Sequence, residues 1–248
     1  MLVKVPSSQG SLDKNLGTEL APEILCKGLE AETVNVVRSD IVATDEAIYS
    51  KAKEVIQKKP IFIGGDHSIT YSLFKAFSEN FEKPSLIIFD AHADATSFFK
   101  PVSHEDMNKV LIEEGLLEKE RLLIIGIRKI DKEEEPFLKE KNISLLHAKE
   151  IHENLEATKE KLQKFLEEQK NIYVSFDIDG LDPSIAPGTG YREEDGLTEK
   201  EAFDLLEQVL ETGKVKAADL VEIKPKLDKE GKTVSIGKKI LEKLIKNA

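Results

Sequence analysis

The stretch SLIIFDAHADAT, residues 85–96, begins with residues typical of a buried β-strand and ends in side chains of the types that bind metal ions. Its first five residues are mostly β-branched or aromatic, which favours a strand. Asp90, His92 and Asp94 follow at alternate positions, and alternate residues of an extended chain point to one face. We therefore expect these three side chains to converge on one spot at the carboxyl end of a strand.

Seven further apolar runs predict the rest of a sheet. They are LVKV (2–5), TVNVV (33–37), PIFIGG (60–65), LLIIGI (122–127), ISLLH (143–147), NIYVSFDID (171–179) and VKAADLVEI (215–223). Charged stretches with helical periodicity separate many of them, at 45–59, 103–120, 155–169 and 197–213, and an amphipathic helix closes the chain at 233–248. Strands that alternate with helices predict a parallel sheet covered on both faces, hence an α/β fold.

Composition limits the class of protein. The chain has 248 residues, 40% hydrophobic and 33% charged, which fits one globular domain, 1–248. No run approaches the roughly 20 apolar residues that span a bilayer, and Cys26 is the single cysteine, so we expect no membrane insertion and a cytoplasmic location. The net charge of −11 argues against nucleic acid as a partner and favours a small cationic substrate.

Polar motifs follow several of the predicted strands. GGDHS (64–68), DAHAD (90–94) and DIDG (177–180) each stand where a strand ends, and Glu222 stands near the end of the last one. Ligands of open parallel sheets bind outside the carboxyl ends of the strands. The motifs should therefore meet at one edge of the sheet.

These motifs supply four carboxylates and two imidazoles, from His67, Asp90, His92, Asp94, Asp177 and Asp179. An oxygen-rich donor set with some nitrogen suits manganese, and six ligand residues are enough for two ions that activate water for hydrolysis. Any one motif alone is also explained as a helix cap or turn. That explanation is poor for all of them together, because crowded carboxylates without a cation repel one another.

GGDHS, DAHAD and SFDIDGLDPSIAPGTG resemble the three signature motifs of the ureohydrolases, the superfamily of arginase and agmatinase. The resemblance extends from GTELAPEI near the start to ADLVEIKP. It implies an arginase-like three-layer α/β/α fold with an eight-stranded parallel sheet. It also implies two Mn²⁺ ions per chain and a homo-oligomer, a trimer or hexamer.

The resemblance further implies how the ligands divide between the ions. One ion would be held by His67, Asp90, Asp94 and Asp177, and the other by Asp90, His92, Asp177 and Asp179. A hydroxide that bridges the ions would attack the guanidinium carbon, with Asp94 orienting it, and urea would be released.

Two positions outside the ligand set follow from the same resemblance. His104 would carry a proton to the leaving amine, a role that suits an imidazole. Its alternative interpretation is a residue at a helix N-terminus capped by Ser103. Glu222 would pair with the substrate guanidinium, and its alternative is a surface acid at a strand end.

Asp131 and Glu134 stand where the resemblance places acids that meet a substrate amino group, although a charged first helical turn explains them as well. The segment ATSFFKPVSH, 95–104, lacks the asparagine typical of arginases and has Phe98 and Phe99 at its centre. We therefore favour agmatine, hydrolysed to putrescine and urea, over substrates that carry an α-carboxylate.

The loop Tyr191 to Asp195 departs from the family pattern after PGTG. Arginase, guanidinobutyrase and formimidoylglutamase activities therefore stay open as alternatives. So do a metal-binding relative that has lost catalysis and a deacetylase-like zinc hydrolase with one ion.

Overall fold

Eight strands form one sheet in the computed structural model, which describes residues 1–14, 16–97 and 100–247. The strands are β1 (Leu2–Val5), β2 (Glu32–Thr33), β3 (Ile61–Gly64), β4 (Pro84–Phe89), β5 (Leu122–Ile127), β6 (Ser144–His147), β7 (Asn171–Asp177) and β8 (Val215–Val221). Their order is β2-β1-β3-β8-β7-β4-β5-β6, and each neighbouring pair is parallel. The predicted eight-stranded parallel sheet is confirmed.

One predicted strand is much shorter than expected. β2 covers only Glu32–Thr33, whereas the sequence predicts a strand over 33–37. It is an edge strand that pairs with β1 alone, and the Val34 amide makes the last bond to that neighbour, to the Lys4 carbonyl at 2.9 Å. Because β1 ends at Val5, Val36 and Val37 have no strand to pair with.

Nine α-helices in the described residues cover the two faces of the sheet. They are α1 (Ala21–Leu25), α2 (Ile41–Val55), α3 (Ile69–Asn80), α4 (Met107–Glu113), α5 (Glu135–Lys141), α6 (Ala148–Glu153), α7 (Leu155–Glu168), α8 (Glu199–Glu211) and α9 (Lys232–Lys246). Helices α2 to α5 pack on one face, and α1 with α6 to α9 pack on the other. The alternation within β4 divides between these cores, since Ile87 and Phe89 face one and Leu86 and Ile88 face the other.

Helix α4 begins later than its periodicity predicts. The sequence favours a helix from residue 103, but α4 begins at Met107. The Ser103 amide and hydroxyl both donate to the Asp106 carboxylate, at 2.7 and 2.9 Å, so the chain turns here before the helix starts. His104 therefore lies in this turn and not in a helix, and Ser103 is not the helix cap that the alternative interpretation of His104 requires.

Two further observations bear on the sequence predictions. None of the helices in 1–14, 16–97 and 100–247 combines the length and the apolar character that a membrane crossing requires. Phe98 and Phe99, which contributed to the substrate prediction, lie outside the described residues.

Candidate metal centre and active site

The DAHAD segment reaches its arrangement by a turn and not by the extended alternation that the sequence predicts. Strand β4 ends at Phe89, and the Asp90 carboxylate then accepts a hydrogen bond from the His92 amide at 2.7 Å. Asp94 has a φ of +47°, in the left-handed region that asparagine and aspartate tolerate best after glycine. The turn brings the three side chains together at the end of the strand, as expected, by a different backbone path.

The DIDG segment packs directly against the end of β4. The Asp177 carboxylate accepts from the Asp179 amide at 2.8 Å, and Asp179 accepts from the Ala91 amide at 3.1 Å. A Cβ atom at Gly180 would lie 3.0 Å from the Asp90 nitrogen, a tight contact with backbone, so the close approach of the two loops favours glycine. This contact explains why the last residue of the motif has no side chain.

His67 stands at the centre of three carboxylates. Its Nδ1 lies 2.9 Å from Asp94 Oδ2, 3.1 Å from Asp90 Oδ2 and 3.3 Å from Asp177 Oδ2. Within the part of the chain that the structure describes, this buried nitrogen has no hydrogen-bond partner of acceptable geometry.

The other imidazole nitrogen of His67 determines which tautomer fits. Nε2 lies 2.9 Å from Ser175 Oγ, and the Ser175 hydroxyl donates to Asp219 at 2.6 Å. The serine is committed as a donor to Asp219, so we assign the proton to Nε2, which leaves a lone pair on Nδ1. A lone pair among three carboxylate oxygens is the donor set of a cation site, and the residues present therefore fit a divalent metal.

A second group of donors lies beside the first. His92 Nδ1 is 3.1 Å from Asp179 Oδ2 and 3.5 Å from Asp90 Oδ1. Two clusters could each hold an ion, one of His67, Asp90 and Asp177 and one of Asp90, His92 and Asp179. Asp90 offers one oxygen to each cluster, whereas Asp177 belongs to the first alone.

The electrostatics of these acids agree with a cation site. Burial and the neighbouring Asp90 raise the pKa of Asp94 to about 7. Burial, together with Asp179 and Asp90, raises the pKa of Asp177 well above its ordinary value. Carboxylates packed this closely need either protons or a positive charge among them, and a divalent ion supplies the charge.

His104 and Glu222 are both buried beside the clusters. Glu222 follows β8 with a φ of +64°, and its Oε1 accepts from the His67 amide at 2.8 Å. The same oxygen lies 3.4 Å from His104 Nδ1. Burial lowers the pKa of His104, but Glu222 outweighs it and raises the pKa to about 9. His104 is therefore protonated at neutral pH.

Every residue predicted for the site lines one cavity of about 310 Å³, including Asp131 and Glu134. The Glu134 carboxylate accepts from the Ala95 amide at 2.9 Å and from the Asp131 amide at 2.7 Å. It thus joins the loop after β5 to the loop after β4. The Asp131 side chain is 60% exposed, and its carboxylate lies 4.0 Å from Lys129 Nζ.

Several residues that contact or support this cavity were not predicted. Arg128 directly follows β5 and donates to the carbonyls of Asp179 and Glu193, at 2.6 and 2.9 Å, which fastens the loop 191–195 to the metal centre. A charged residue at the end of a buried strand was the signal available for it. Glu105 also lines the cavity, and nothing in its local sequence distinguishes it. Tyr191 lines it too; it belongs to the loop that departs from the family pattern, but no role was predicted for its side chain.

Comparison with known proteins places this fold and cavity in a family. The family model described as "Arginase family" matches residues 8–246. Guanidinopropionase from Pseudomonas aeruginosa is 35% identical over 75% of the chain and 59% of its own length, and agmatinase from Bacillus anthracis is 33% identical over 76% and 63%. The crystal structure of formimidoylglutamase from Bacillus subtilis, 24% identical, superposes with a TM-score of 0.92 over 99% of this chain and 85% of that one. The chain belongs to the arginase family and is a hydrolase of that family.

Proposed function

We propose that the protein hydrolyses agmatine to putrescine and urea at a centre of two manganese ions. The observation that carries the proposal is the pair of clusters that share Asp90, one of them built around the lone pair of His67 Nδ1. Both clusters face His104 and Glu222 in the same cavity. Metal ligands, a proton donor and a carboxylate for a cationic group thus lie within reach of one bound molecule.

The residues that would hold the two ions are His67, Asp90, His92, Asp94, Asp177 and Asp179. Bound manganese would lower the pKa of water and so supply a nucleophile at neutral pH. Asp94 is the ligand suited to a second task, because its carboxylate lies 2.9 Å from His67 Nδ1 and also acts electrostatically on His104 in the same cavity. It would orient the attacking water and hold one of its hydrogens.

Glu222 and His104 would act on the substrate itself. The Glu222 carboxylate would accept hydrogen bonds from the guanidinium, a planar cation that matches it. His104 is protonated and directs Nδ1 at Glu222, so its Nε2 would give a proton to the amine as the carbon–nitrogen bond breaks. The amine then leaves neutral, and the water oxygen remains on carbon as urea.

Agmatine is favoured over other guanidino compounds by the charge of the outer cavity. Asp131 and Glu134 line it, and both would attract the distal ammonium of agmatine. The relatives themselves differ in the substrates that their names give, so similarity alone does not choose among them.

The remaining properties of the molecule are also proposals. We propose one arginase-like domain, 1–248, since all eight strands belong to one sheet. A homo-oligomer, a trimer or hexamer, and a cytoplasmic location stay predictions. Light scattering on the purified protein measures the oligomeric state directly.

The test is a substrate panel with the manganese-loaded protein. Agmatine, arginine and guanidinobutyrate are assayed for urea, and formiminoglutamate for formamide. We expect the highest kcat/KM for agmatine. A higher value for arginine or guanidinobutyrate would reject agmatine but keep the hydrolase, and no product from any compound would reject the proposed activity.

A further inference from the structure

Glu105, Lys129, Tyr191 and Glu193 line the outer part of the cavity and have no part in the chemistry proposed above. Among the described lining residues, Tyr191 is the only tyrosine and Lys129 the only lysine or arginine. This outer wall is where the tail of a substrate must lie once its guanidinium meets Glu222.

Tyr191 covers the gap between the metal centre and the proton donor. Its ring centroid is 5.5 Å from that of His92, edge to face, and 5.7 Å from that of His104. The Tyr191 hydroxyl donates to Glu105 Oε1 at 3.2 Å. The ring therefore forms the part of the cavity wall that lies between His92 and His104, where a substrate at the metal centre would contact it.

Glu105 is fixed at the point where the leaving amine emerges. Its Oε1 lies 3.7 Å from His104 Nε2, the imidazole atom that would protonate the amine. Lys14 Nζ binds the same carboxylate at 2.6 Å from the outer side, where Lys14 is half exposed. Glu105 is thus held between Lys14 and His104, with part of its charge offset by Lys14, beside the place where the first carbons of a substrate tail would lie.

We propose that Glu105, positioned by Tyr191, is a specificity-determining residue that disfavours guanidino substrates whose tail carries a carboxylate. This inference rests on the proposed function and assigns a selection step to residues that take no part in bond cleavage. The carboxylate of a short guanidino acid would come close to Glu105 and Glu193 and would be repelled, whereas an ammonium or alkyl tail would not.

Two lysines work in the opposite direction. Lys14 pairs with Glu105 at 2.6 Å and offsets part of its charge, and in the wall itself the opposing group is Lys129. Its ammonium lies 4.0 Å from Asp131 and is half exposed, so its charge is shared with that acid and screened by solvent. If Lys129 held a substrate carboxylate nevertheless, guanidinobutyrate would be the preferred substrate, and this is an outcome of the experiment below.

The experiment compares three compounds of similar length with different tails: agmatine, butylguanidine and 4-guanidinobutyrate. Urea release gives kcat and KM for the manganese-loaded wild type and for Glu105→Gln, Tyr191→Phe and Glu194→Gln. Glu194→Gln is the matched control. Glu194 is an exposed acid in the loop 191–195, beside Tyr191, and its side chain does not line the cavity. Bound metal is counted in each sample to verify that the metal centre is intact.

We expect Glu105→Gln to lower the ratio of kcat/KM for agmatine to that for guanidinobutyrate by about five-fold, mainly through KM, as expected for one partly exposed charge. Tyr191→Phe should change the ratio in the same direction by a smaller factor, since the ring stays and only the bond to Glu105 is lost. Glu194→Gln should leave the ratio unchanged.

Three results would overturn the inference. An unchanged ratio in Glu105→Gln, or a wild type that prefers guanidinobutyrate, would remove the selection step while the hydrolase stands. A wild type that binds metal but releases urea from none of the compounds would overturn the proposed function as well. Urea release by the wild type thus separates the two failures.

Discussion

The floor and the outer wall of the cavity are built in different ways. The floor consists of residues at or shortly after the ends of β3, β4, β7 and β8, and its acids and histidines are largely buried. Several of its carboxylates accept hydrogen bonds from backbone amides. The wall consists of loop residues such as Glu105, Lys129 and Tyr191, which are more exposed and contact one another mainly through side chains.

This difference separates the residues that hold the metals from the residues that can change with the substrate. Positions at the ends of buried strands are fixed by the sheet, so they can hold metal ligands in one geometry. Loop side chains are free to differ without disturbing the sheet. The floor therefore defines the family, and the wall is where we expect substrate choice to be determined.

The largest effect should come from the shared ligand of the floor. Asp90→Asn replaces a carboxylate that offers one oxygen to each cluster by a weak neutral ligand, so we expect loss of both ions and of measurable activity. Metal counting after dialysis checks this. Asp204→Asn on helix α8 is the control for the same chemical change at the surface. Two retained ions in Asp90→Asn would contradict the role of Asp90 as the shared ligand.

The next largest effect concerns the proton donor. His104→Ala should retain the metals and lower kcat by about 100-fold, the usual scale of acid and base catalysis. Burial lowers the pKa of His104, but the stronger effect of Glu222 raises it to about 9. Since the protonated form is the active one, kcat should be lost as the pH rises through this value. If the pH profiles of the wild type and of His104→Ala had the same shape, His104 would not be the proton donor.

A smaller effect is expected from Ser175, which supports the metal ligand His67. Ser175→Ala removes the acceptor that fixes the proton on His67 Nε2, and groups of this kind affect metal affinity by about 10- to 100-fold. A manganese titration followed by activity measures the affinity. Ser184→Ala, on an exposed loop, is the matched control. Equal affinities in Ser175→Ala and the wild type would show that Nδ1 does not depend on this hydrogen bond.

The smallest effect should come from the wall. Asp131→Asn removes an exposed charge, so KM for agmatine should rise only about two- to five-fold while kcat stays the same. Glu133→Gln is an exposed control on the same loop. A drop in kcat instead of a rise in KM would show that Asp131 takes part in the chemical step and not only in substrate binding.

The sequence predicts the floor far better than the wall, for a physical reason. Parallel strands place their ends at one edge, so GGDHS, DAHAD and DIDG could be brought together from their positions alone. This rule predicts which edge of the sheet holds the motifs but not the path of the backbone after each strand. The turn at Asp94 was therefore not predicted. Tyr191 and Glu105 are 86 residues apart, and Arg128 is 65 residues from Glu193. Contacts between two such loops depend on tertiary packing that no local pattern encodes.

The most direct test of the central claim is a manganese titration of the metal-free protein, in which bound metal and urea release from agmatine are measured on the same samples. We predict two ions per chain, with activity that rises steeply as the second ion binds. Full activity at one ion per chain would contradict the two-metal centre, and two bound ions without urea would contradict the proposed reaction.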